Sequence, residues 1–158
     1  MIEIILNWLH LIATVLWIGG IAFLLFIAIP ITKQALGQEA GKLLGEFSKR
    51  FKIFADLCII LLVVTGIGLS IINKPMSNGI GIWNNWILLL ILKHIFVFLM
   101  IFIHLFRNLI LAKKIYKESS THKKSILQKL SLNLVRLVFI FGLIVLFLSV
   151  IGSLSKTI

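Results

Sequence analysis

Four long apolar runs separated by polar stretches set the pattern of this chain, at approximately residues 4–31, 53–72, 83–110 and 134–154. Each meets or exceeds the ~20 residues that an α-helix needs to cross the hydrocarbon of a bilayer. The pattern therefore predicts an all-α integral membrane protein, a four-helix transmembrane bundle forming a single domain over residues 1–158. The first and third runs are long enough to tilt or to project beyond the bilayer. Pro30 is expected to end the first helix, because the residue before a proline disfavours helical geometry. Asn73-Lys74-Pro75 and the stretch 77–81 mark a turn between the second and third spans. Gly19 and Gly20, Gly66 and Gly68, and Gly142 lie within spans, where small residues let backbones approach or leave room for a flat cofactor.

Composition agrees with the pattern. The 158 residues are 60% hydrophobic and 13% charged, with a mean hydropathy of +1.13, far from the balance of a soluble domain. The formal charge of +11 would suit a nucleic-acid binder, but the cations fall between apolar spans rather than along a soluble face. Anionic lipid at a cytoplasmic membrane surface is the better partner, and no nucleic acid is expected. Lys33, Lys42, Lys49, Arg50 and Lys52 crowd the first connection, and Arg107, Lys113, Lys114, Lys117, Lys123, Lys124, Lys129 and Arg136 the third. The second connection holds only Lys74. The positive-inside rule then puts both termini outside and both basic loops in the cytoplasm, in a plasma membrane. Trp8, Trp83 and Trp86 fall near the outer headgroups, where indoles concentrate. Glu3 and the lack of a basic leader mark the first run as an uncleaved span. The lone cysteine, Cys58, permits no intrachain disulfide and reads as a small hydrophobe.

The chemistry-bearing residues are histidines inside the spans: His10 in the first, His94 and His104 in the third. His122 sits in a polar stretch and reads as solvated. Ionisable groups within the bilayer are costly and mark functional interiors, and neutral imidazole is a frequent metal and haem ligand. His10 lies ~10 Å outward of its span's midpoint and His94 ~6 Å, whereas His104 lies ~15 Å deeper than His94. His10 and His94 are thus the candidate pair for one guest, either as axial ligands of haem b or in a copper site. Thr14 and Trp17 share the His10 face, and Thr14 or a backbone carbonyl is expected to fix the imidazole tautomer. Lys93 and Lys74 are candidate partners of haem propionates, with snorkelling as the alternative for Lys93. His104 is either a secondary metal ligand, a proton relay or a hydrogen-bonded core residue. Asp56 reads as one half of an interfacial ion pair, with a proton relay as its alternative. Met76 and Met100 stand apart from His94, so thioether ligation of copper is weakly supported.

A family likeness enters on short motifs. Trp8-Leu9-His10 followed by Leu16-Trp17-Ile18-Gly19-Gly20 resembles the first helix of CopD-type domains, the membrane part of copper-resistance and copper-uptake proteins. Phe47-Ser48-Lys49-Arg50-Phe51 leading to Val64-Thr65-Gly66 resembles the second helix of that family, and Leu92-Lys93 the third. The order His10, Lys93, His104 is also similar to HemJ-type protoporphyrinogen oxidases, a resemblance that implies bound haem and oxidation of protoporphyrinogen. The chain departs from that second pattern at Trp17-Ile18-Gly19-Gly20 and by its added His94.

Together these readings lead to the expectation of a haem-b-binding, CopD-like membrane protein in electron transfer or redox chemistry, with an unidentified redox partner. Two imidazoles would leave iron no open position, which favours electron transfer over oxygen chemistry. The alternatives are a copper-handling or copper-transport protein, a porphyrin-oxidising enzyme, or a structural subunit. A homodimer is the expected way to enclose a porphyrin with four short spans.

Overall fold

Apolar helix-forming sequence does what hydrocarbon demands, which is to satisfy every backbone polar group within its own segment. A computed structural model describes residues 1–72 and 85–154, apart from the side chains of residues 38, 85–87 and 154. Among the described residues there is no strand. The α-helices are α1 (Ile2–Phe23), α2 (Ile29–Leu36), α3 (Ala40–Ile72), α4 (Asn85–Phe106), α5 (Ala112–Lys117) and α6 (Thr121–Leu154). π-helical turns at Leu24–Ala28 and Arg107–Leu111 join α1 to α2 and α4 to α5 without a break. Four rods result, each long and apolar enough to span a membrane: Ile2–Leu36, Ala40–Ile72, Leu88–Lys117 and Thr121–Ser153. The expected turn around Lys74 and Trp83, and Met76 with it, lies outside the described residues.

Two expectations are corrected. Pro30 does not end the first helix, because the widened turn before it changes the hydrogen-bond ladder. There the Ile29 N–H donates to the Leu24 carbonyl rather than one residue nearer. Pro30 then falls in the first turn of α2, where a missing N–H costs little. The basic connections, expected as long loops, are mostly helix. Lys, Glu, Gln, Leu and Ala are good helix formers, so α2, α3, α5 and α6 run through the charged stretches. Only short breaks remain. Gly37 stops α2 at φ +50°, a left-handed conformation that favours glycine. Glu118 leaves α5 with an extended backbone, and its Oε1 accepts the Ser120 N–H at 3.1 Å. A rod of about 33 residues is ~50 Å long, so each projects some distance past a hydrocarbon core of ~30 Å.

The chain divides into two units, Met1–Asn78 and Gly79–Ile158. In the first, α1 packs along α3 as an antiparallel hairpin. Glycines set the approach: a Cβ on Gly20 would come within 2.5 Å of the Phe51 ring, and one on Gly68 within 3.1 Å of Leu6. In the second unit α4 packs along α6, with Phe96 and Phe141 edge to face at a centroid distance of 5.3 Å. The remaining faces are mostly large apolar side chains, as lipid-facing surfaces should be.

Candidate functional site

In the first unit the site begins with one hydrogen bond between helices. His10 Nδ1 lies 2.8 Å from Thr65 Oγ1, fifty-five residues away on α3. The Thr65 hydroxyl has a single proton, and it goes to the Leu61 carbonyl at 2.7 Å, with Leu62 at 3.3 Å. Thr65 must therefore accept from His10, which places the imidazole proton on Nδ1 and the ring lone pair on Nε2. Thr65 is 1% exposed, so this exchange is shielded from water. Gly66 follows it, and a Cβ there would meet His10 Cε1 at 3.7 Å, so the bare backbone lies alongside the ring.

The tautomer-fixing partner is thus Thr65, which the sequence places in the Val64-Thr65-Gly66 motif without a site role. Thr14 does not take that role, because its hydroxyl donates to the backbone carbonyl of His10 at 2.8 Å. Helical sequence favours this outcome, since a threonine hydroxyl readily reaches the carbonyl one turn back. Trp17 is buried on the same helix.

In the second unit α4 carries the other two span histidines. His94 is exposed, and its Nδ1–H donates to the Leu90 carbonyl at 2.7 Å, which again leaves the lone pair on Nε2. Lys93 beside it is half-buried. His104 has the opposite arrangement. Its Nε2 accepts from Asn108 Nδ2–H at 2.8 Å, and the residue is 6% exposed. Its ε lone pair is already committed within the helix, which answers to the hydrogen-bonded core reading. Met100, one turn before His104, is buried as well. Among the described residues no three His, Cys, Asp or Glu side chains converge on a point. A closed site of three or more such ligands is therefore not built among the described residues, and the span histidines offer imidazole nitrogen as a donor.

A family model for copper resistance protein D matches residues 45–151. The chain belongs to the copper resistance protein D family. The match runs from within α3 through most of α6, so Thr65, Lys93, His94 and His104 lie within it. His10, Thr14 and Trp17 precede it, and the likeness read at residues 8–20 is not part of it. No curated protein and no solved structure matches the chain. With four spanning helices and this family, the chain is a multi-pass membrane protein. The copper-resistance family favours the copper alternative of the sequence reading over haem b, and it adds nothing to the HemJ-type likeness.

Proposed function

We propose that this protein handles copper ions as cargo within the membrane, with His10 Nε2 of the first unit and His94 Nε2 of the second each offered as an imidazole donor. The observation that carries the reading is the His10 imidazole held by Thr65 through Nδ1 inside a spanning helix. Imidazole suits copper, and geometry and donor type rather than raw affinity decide selectivity. Sparse nitrogen donors suit copper(I), which tolerates low coordination, and an ion in transit must also be released. In this reading His104 stays a hydrogen-bonded residue. Lys93 and Lys74 have no ligand role, since their propionate contacts belong to the haem reading. The termini face outward and the basic helix ends face the cytoplasm of a plasma membrane, as the cation distribution favours.

Metal analysis and visible spectra of the purified protein, followed by radiolabelled copper uptake into proteoliposomes, test this reading. Bound copper that falls in both His10→Ala and His94→Ala supports it. A Soret band with a sharp reduced α-band, lost in the same variants, would instead return the assignment to haem b and electron transfer. Copper content and uptake unaffected by either substitution would end the ligand assignment.

A further inference from the structure

Where α5 meets α6, the second unit opens a cleft of about 580 Å³ that the handling of copper does not use. Lys113, Lys114 and Lys117 reach it from α5, and Lys123 from α6. Four lysines and one glutamate, Glu118, thus line the same cleft, and the Glu118 carboxylate accepts the Ser120 N–H. Ile126 and Leu127 complete the wall, so the cleft is lined mostly by hydrocarbon, the lysine stems included, with four lysine side chains gathered at it. Tyr116 stands beside it, 89% exposed on the last turn of α5. An exposed tyrosine at the end of a spanning rod belongs at headgroup depth, which sets the cleft in the interfacial layer.

We infer that this cleft binds the headgroup of an anionic phospholipid. The lysines hold the phosphate, and Ile126 and Leu127 meet the glycerol and the root of an acyl chain. Scattered surface lysines would attract any anionic bilayer diffusely. Here they are gathered by the sharp reversal at Glu118 onto one concavity with an apolar wall. That pairing selects an amphiphile over a free anion: inorganic phosphate finds the charges but leaves Ile126 and Leu127 uncovered.

Native mass spectrometry of the detergent-purified protein, titrated with phosphatidylglycerol, phosphatidylcholine or inorganic phosphate, tests this. The expected result is saturable retention of phosphatidylglycerol, with phosphatidylcholine weaker and phosphate a poor competitor. Each lysine near an anionic surface contributes about a factor of five. The combined K113Q, K117Q and K123Q variant should therefore lose roughly a hundredfold in phosphatidylglycerol affinity. A charge-matched variant of the first unit, K33Q with K42Q and K49Q, should retain it and controls for net charge. Ile126→Ser should weaken phosphatidylglycerol without changing phosphate. Equal retention of both lipids, equal losses in the two lysine variants, or phosphate displacing the lipid at comparable concentration would each overturn the assignment. Copper content plays no part in this readout, so the lipid site stands or falls separately from the ligand histidines.

Discussion

Thr65→Val keeps the shape of the α1–α3 contact and deletes one hydroxyl. In the native hairpin that oxygen accepts the His10 Nδ1 proton at 2.8 Å while donating to Leu61 at 2.7 Å. Removing the acceptor of a buried donor costs ~1–3 kcal/mol in a water-soluble core. Hydrogen bonds between helices in a bilayer measure nearer ~0.6 kcal/mol on average, with a ceiling of ~1.7, because the dissociated helices also find partners. The bilayer scale governs here, so the hairpin should lose about 1 kcal/mol and remain folded. The effect on copper should be larger. Groups that orient a ligating imidazole are worth roughly 10- to 100-fold in metal affinity. Competition with a chromophoric copper(I) chelator would read that loss, and Thr65→Ser should restore most of it because it keeps the oxygen. Nitrogen-15 spectra of histidine-labelled protein without metal give an independent check, since they should show His10 protonated on Nδ1 in wild type and a tautomer mixture in Thr65→Val. An unprotonated Nδ1 in wild type would refute the proton assignment. Copper affinity unchanged in Thr65→Val, where His10→Ala abolishes it, would refute the positioning role.

Gly20→Ala should destabilise the first hairpin by about 1–3 kcal/mol, because its new Cβ meets the Phe51 ring at 2.5 Å. Gly19→Ala, with nothing within 4 Å of its Cβ, should change detergent melting little, and the pair is read by comparing the two curves. His94→Ala should lower copper content while leaving stability within about 0.5 kcal/mol, since the side chain is exposed. Asn108→Ala should cost about 1 kcal/mol and leave copper binding unchanged. A loss of copper as large as that of His10→Ala would bring His104 into the ligand set.

Hydropathy alone made the four spans legible, because bilayer thickness imposes a length that composition reveals directly. What lay hidden was decided by local backbone adjustment or by pairing across helices. Pro30 would end an unbroken α ladder, and the wider turn before it removes the conflict. The charged stretches looked like loops because polarity was read without helix propensity. Thr65 lies on a different helix from His10, so spacing along a single helix points to Thr14 instead. A signal was nevertheless present. His10 lies eight residues after the start of α1 and Thr65 seven before the end of α3, so an antiparallel hairpin brings them level. For His104, the asparagine one turn on was visible in the sequence and sufficient to anticipate its hydrogen bond.

The wide turns at Leu24–Ala28 and Arg107–Leu111 also govern how substitutions will map onto surfaces. Each inserts one residue into the winding, which rotates everything beyond it by ~100° relative to an uninterrupted α-helix. A stripe of sensitive positions followed down α1 therefore does not continue at the same spacing into α2, nor one on α4 into α5. In those two rods the portions before and after the wide turn thus present their side chains at a fixed offset, so a face defined on one does not extend onto the other.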